Sequence, residues 1–161
     1  MAGEVLSMEQ DRRTELEDRY LLFYIEQMLH SVELQYVIEI ITVQRVTHLP
    51  NLPEYVKGII NLRGKVIPVI DIRLKLGMEE RPYDDKTCIV VIDINEMHIG
   101  LIVDSVSEVV TISEESISAT PPGDVAAKYI ASISTHNGTT VLNIDCEKLF
   151  VNDLETVVAN A

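Results

Sequence analysis

At 161 residues the chain has the length of one domain or two small interlocked ones, enough to bury roughly two thirds of its unfolded surface. Aromatic residues make up only 5% and tryptophan is absent, so a core must be built from Val, Ile and Leu, which favours a β-rich fold. A formal net charge of -13 argues against nucleic acid or an anionic membrane surface as a partner and leaves a protein or a small molecule.

Met1 to Arg19 is dense in charge, has little to bury, and reads as a mobile N-terminal tail or a frayed helix. Tyr20 to Ile25 is a short apolar strand. Val32 to Ile41 fits two periods: Leu34, Val37, Ile38 and Ile41 share a helical face, while Tyr36, Ile38 and Ile40 alternate as in a strand. The expectation is a short helical turn inside a β region. Pro50 and Pro53 mark a loop, followed by a short helix or turn over Glu54 to Gly58.

The most regular stretch follows. Val66, Pro68, Ile70, Ile72, Leu74 and Leu76 alternate with Lys65, Asp71, Arg73 and Lys75, the period of a strand with one buried face. Asn61-Leu62-Arg63-Gly64 turns the chain into this strand, because Gly64 tolerates positive φ and Asn61 can bond its own backbone. Pro68 lacks a ladder donor, which places its strand at an edge or beside a bulge.

Cys88 to Ile94 and Met97 to Val103 form a second hairpin around Asn95-Glu96. Residues 111 to 124, with Pro121-Pro122-Gly123, form a surface loop. Tyr129 to Thr135 and Thr140 to Ile144 pair around Asn137-Gly138, a strong hairpin signal. Asp145 then caps a final helix through Phe150 and on to Val158, with 151–161 as C-terminal helix or tail.

The chain also repeats itself. A shift of 74 places Tyr55 on Tyr129, Ile59 on Ile133, Gly64 on Gly138, Ile70 on Ile144 and Asp71 on Asp145, and a shift of 69 places Val37-Ile38-Glu39-Ile40 on Val106-Ser107-Glu108-Val109. Two copies of one β unit are expected, about 20–82 and 83–150.

Nothing in the sequence argues for catalysis. His30, His48, His98 and His136 are dispersed, no pair having the spacing of a zinc clamp, and no GxSxG, Walker or GxGxxG pattern occurs. The acid pairs Asp84-Asp85 and Glu114-Glu115 sit in polar loops, where nothing raises a carboxyl pKa for acid work. Cys88 and Cys146 stand apart and read as buried, reduced thiols. No metal and no cofactor are expected. The chain has no apolar run of about 18 residues and no signal pattern, so a soluble cytoplasmic protein is expected. If neighbours in space, Glu39 can accept a bidentate contact from Arg63 and aim its guanidinium.

The Gly58, Asn61-Leu62-Arg63-Gly64, Pro68-Val69, Asp71 and Arg73 run closely resembles the core motif of the CheW family of bacterial chemotaxis adaptors, and the likeness extends from about Tyr20 to Phe150. It lapses over Ile25 to Ser31, where that family usually places glycine or acids before an aromatic-Gly-Ile. The resemblance implies a mainly β fold of two intertwined five-stranded SH3-like barrels with short helices. It implies a non-catalytic adaptor joining the cytoplasmic tips of chemoreceptors to the regulatory domain of the histidine kinase CheA. Carried over by position, the receptor-binding residues are Val37, Glu39, Gly58, Asn61, Arg63, Gly100 and Val109; the kinase-facing residues stay unassigned. Two alternatives remain: a CheW-like adaptor of a pilus, gliding or CheV-type system, and, in another class, a small-ligand-binding β-barrel or enzyme.

Overall fold

The structure is a computed structural model that describes residues 16–119 and 129–149. Most of the expected N-terminal tail, the Pro121-Pro122-Gly123 part of the loop and the C-terminal segment beyond Leu149 lie outside the described residues.

Eleven strands are described: β1 (Arg19–Ile25), β2 (Met28–Glu33), β3 (Val37–Thr42), β4 (Val56–Leu62), β5 (Lys65–Asp71), β6 (Cys88–Ile94), β7 (Met97–Val103), β8 (Ser105–Thr111), β9 (Ile117–Ala119), β10 (Ile130–His136) and β11 (Thr139–Ile144). They form a six-stranded sheet, β8-β1-β2-β11-β10-β9, and a five-stranded sheet, β3-β6-β7-β5-β4. The fold is mainly β, as expected, although neither hydrogen-bonded order closes into a ring.

The two sheets do not follow the two sequence halves. The first hairpin, β1–β2, lies in the sheet of β8 to β11, while β6–β7 lies with β3 to β5. Each exchanged hairpin joins its host by a parallel ladder, β2 with β11 and β7 with β5. The repeat units have therefore traded their first hairpins. Their backbones match at corresponding points: Asp71 N–H donates to Tyr55 O and Asp145 N–H to Tyr129 O, both at 2.8 Å. Gly64 and Gly138 occupy matching turns at φ 84° and 77°. Lys75 Nζ lies over both matching tyrosine rings, 4.1 Å from the Tyr55 centroid and 5.1 Å from that of Tyr129.

The exchange explains why Cys88 to Ile94 reads as a continuous apolar run. Val90, Ile92 and Ile94 join Leu21, Phe23 and Ile25 in a core that draws on both sheets, while Ile89 and Val91 face Ile60, Ile67 and Val69 inside the five-stranded sheet. A strand buried on both faces has no polar side to show. Leu22, Leu29, Val110, Ile112 and Val141 fill the corresponding space in the six-stranded sheet.

Several local expectations need correction. Strand β5 ends at Asp71, although the alternation continues to Leu76, because the Asp71 carboxylate caps a single helical turn, α1 (Ile72–Lys75), by accepting from Leu74 N–H at 3.4 Å. The odd-numbered Arg73 is consequently buried. Pro68 is not on an edge strand: β5 has β4 and β7 as neighbours, but the ladder to β7 begins only at Val69, and the irregularity of β4 between Val56 and Gly58 lies nearby. Of the two options for Glu54 to Gly58 the turn is the one formed, running into β4 at Val56, whose N–H is bonded to Pro53 O at 3.0 Å. The short helical turn expected inside Val32 to Ile41 is present, as one 3-10 turn, Leu34–Tyr36, between two strands. Cys146 is buried, its thiol pushed up to about 12 by burial and then by the Glu33 charge, whereas Cys88 is only half-buried.

Candidate partner-binding surface

The β4–β5 hairpin has a two-residue loop. Leu62 pairs with Lys65, leaving Arg63 and Gly64 at the tip with φ of 52° and 84°. Two successive positive φ values give the turn whose twist matches its strands. Arg63 occupies a region that costs an L-residue about 1–2 kcal/mol, and Asn61 offsets part of this by accepting the Gly64 N–H at 2.9 Å. Asn61 thus shapes the turn, and the turn presents Arg63, whose side chain is 71% exposed.

Arg63 Nη2 pairs with Glu39 Oε1. Glu39 sits on β3, at one edge of the five-stranded sheet, and Arg63 follows β4, at the other. The two edges can meet only because the sheet curls. The isolated bridge between Thr47 and Ile59 brings the segment after β3 onto β4 in the same way. As an exposed ion pair it is worth about 0–1 kcal/mol to stability, so aiming the guanidinium is its larger effect.

Gly58 and Gly100 act by what they omit. A Cβ on Gly58, at φ 142°, would stand 2.0 Å from Thr47 O, and one on Gly100 would stand 2.8 Å from Ile89 Cγ2. Both flank Val69, in the cross-strand row Gly58–Val69–Gly100. The repeat places Ser132–Asn143–Ser31 in the matching row of the other sheet. There Asn143 Oδ1 accepts from Ser31 Oγ at 2.6 Å and Ser134 Oγ at 3.3 Å, while Asn143 Nδ2 donates to Ser132 Oγ at 2.9 Å. One row is closely packed and apolar, the other hydrogen-bonded and buried.

Of the site residues expected from sequence, Glu39, Asn61 and Arg63 form one constellation. Gly58 and Gly100 support the same sheet. Val37 begins β3 and packs against the shared core. Val109, 39% exposed, lies on β8 in the other sheet, opposite Leu21.

Sequence reasoning missed a second polar centre. Arg73 donates from Nε and Nη2 to the two oxygens of Asp104, at 2.8 and 2.6 Å, and pairs through Nη1 with Glu26. Asp104 also accepts the Glu26 N–H at 2.8 Å. Burial pushes the Asp104 carboxyl up, but the Arg73 hydrogen bonds and the Glu26 N–H outweigh it and hold the group below its usual range. Glu26 turns β1 into β2 and Arg73 follows β5, so this cluster ties one sheet to the other. Its signal was faint, because Arg73 alternates like a solvent-facing residue. Among the described residues, no group of three or more His, Cys, Asp or Glu is placed to hold a metal ion.

A curled SH3-like pair of sheets with an exposed arginine at a tight turn and no metal cluster among the described residues has the form of a protein-binding module. The CheW-like domain model matches residues 19–153, and the chain belongs to this family. It is 28% identical to "Chemotaxis protein CheW" of Klebsiella aerogenes across 99% of this chain and 92% of that protein. The protein of the same name from Rhizobium meliloti is 34% identical over 69% of this chain and 68% of its own length. Among solved structures, the crystal structure of the scaffolding protein TtCheW from Thermoanaerobacter tengcongensis superposes with a TM-score of 0.78 at 32% identity, covering 83% of this chain and 92% of that one.

Proposed function

We propose that the chain is a non-catalytic cytoplasmic adaptor that couples the cytoplasmic tips of chemoreceptors to the regulatory domain of the histidine kinase CheA. The observation that carries this reading is the Arg63 turn: a tight turn whose backbone presents the arginine at its tip, with a guanidinium paired to Glu39 and 71% exposed. A charged donor held in one direction loses little entropy on binding, which is what a recognition contact requires. In this reading Val37, Glu39, Gly58, Asn61, Arg63, Gly100 and Val109 serve the receptor contact, the glycines by setting strand spacing. An apolar patch on one sheet docks against the kinase domain. Signals pass by fit between surfaces, and no reaction is needed. Separate titrations of the purified chain with a receptor-tip fragment and with the CheA regulatory domain test the reading. Saturable binding of both is the expected result, and failure to bind either would overturn it.

A further inference from the structure

Beside the Arg63 turn the curled five-stranded sheet leaves an open end, a cup of about 250 Å³ walled in part by Ile38, Leu62, Ile67 and Val91. Ile67 and Val91, each 1% exposed, form its floor, and Ile38, 44% exposed, stands on the outer wall. A dry apolar cavity of about 150 Å³ accepts a benzene ring, so this one has room for a single large apolar side chain.

The lip is polar and unevenly charged. Lys65 Nζ lies 3.3 Å from His98 Nε2 and meets no carboxylate among the described residues. His98 Nε2 also lies 3.5 Å from Asp93 Oδ2, so the imidazole accepts from the ammonium in one tautomer and donates to Asp93 in the other. Arg63 gives one amino group to Glu39, and a guanidinium carries five donors. Two cations with unused donors, Lys65 and Arg63, and one carboxylate, Glu39, therefore line the mouth of the cup, which leaves it locally positive on a chain of net charge -13.

We propose that this cup is a subsite of the receptor contact: it takes one apolar side chain of the receptor-tip helix, while a carboxylate adjacent on that helix is held by Lys65 and Arg63. The proposal rests on the adaptor reading and adds the chemistry of the segment recognised. Elsewhere an acidic surface repels an acidic helix; here the cations attract it and the cup fixes its register. A basic or wholly polar helix lacks both contacts.

The test titrates the full chain, methyl-labelled at isoleucine, with a purified chemoreceptor-tip fragment. The Ile38 and Ile67 methyl resonances should shift on saturation. Ile38→Ser and Lys65→Met should each weaken binding by roughly tenfold, as for residues central to an interface, with unfolding midpoints unchanged. If Arg63→Ala weakens binding while those methyls stay in place and both cup variants bind as the unaltered chain does, the cup is refuted and the adaptor reading stands. If the unaltered chain does not bind the tip, the adaptor reading falls and the cup falls with it.

Discussion

Replacing Arg73 with methionine keeps the aliphatic stem and removes the guanidinium that joins the two sheets. Its side chain is 5% exposed, and it contributes two hydrogen bonds to Asp104 besides the pair with Glu26. Stranding one member of a buried ion pair costs about 3–5 kcal/mol. Asp104 would keep the Glu26 N–H at 2.8 Å and Arg81 at 3.6 Å, and Glu26 is itself 54% exposed. These place the loss at the lower end, about 3 kcal/mol. Urea unfolding at neutral pH measures it through the midpoint, with an unchanged slope excluding a change of mechanism. The pH dependence supplies a second check. The folded Asp104 carboxyl titrates below its unfolded value of about 3.9, so its contribution is present above that value and lost as pH falls through the folded one. The variant lacks the Arg73 share of this contribution, and the gap between the two proteins should narrow on acidification below about pH 4. A loss under about 1 kcal/mol, or a gap constant with pH, would refute the assignment of Arg73 as a buried tie between sheets.

Arg63→Ala should leave stability within about 0.5 kcal/mol and weaken receptor-tip binding by about 1–3 kcal/mol, with kinase-domain binding unchanged. Glu39→Ala should act in the same direction, and the double variant should cost less than the sum, as isothermal titration of all four proteins would show. Gly58→Ala should destabilise by more than about 2 kcal/mol, since its methyl meets backbone at 2.0 Å. Gly64→Ala should cost only about 1 kcal/mol, because nothing lies within 4 Å of that Cβ and only the φ is strained; equal losses at the two glycines in denaturant melts would contradict the packing argument. His30 is buried and stacked on Phe23, and burial lowers its pKa despite the bond to Met28 O. The unfolded imidazole takes a proton near pH 6.5 and the folded one resists, so stability is full above that pH and falls below it. His30→Met should flatten this limb of a stability–pH curve, and an unchanged limb would assign it to other groups.

The hairpins were legible because their signals are local. Asn61 to Gly64 and Asn137-Gly138 name their turns by residue type, and the equal spacing of glycine and aspartate in the two halves exposes the repeat. The exchange of first hairpins was not legible: β2 mixes Met28, Leu29 and Val32 with His30, Ser31 and Glu33, so the sequence assigns it no strand, and parallel pairing with β11 leaves no mark within either segment. The end of β5 was misread for a related reason. Ile72 and Leu74 satisfy a strand period and a helical turn equally, and the decision belongs to the Asp71 cap. Side-chain chemistry pairs Glu39 with Arg63, although the contact is a single one through Nη2 and not bidentate, while Lys65, Ile38 and His98 come together only through the curl of the sheet.

The exchange also bears on how the Arg63 turn is held relative to the rest of the fold. Arg63 sits on a hairpin from the first half, yet β5 below it is flanked by β7, which comes from the second. Through β6 and β7 the five-stranded sheet reaches the core shared with the other sheet, whose Leu21, Phe23 and Ile25 come from the first half again. Moving the Arg63 turn relative to the six-stranded sheet would therefore disturb strands buried on both faces, in an interior where close packing resists small displacements. At one end of the joint the Arg73, Asp104 and Glu26 cluster adds a polar tie; the repeat positions matching these residues are Glu147, Gln35 and Asn95, which cannot build the same cluster. The two units are thus equivalent in backbone and unequal in side chains. That inequality extends to the turns themselves, where Asn137 stands in place of Arg63 and His136, 3.3 Å from Glu108, replaces Leu62. Among the described residues the two matching turns therefore differ in charge: the first presents an exposed cation at its tip and the second an amide.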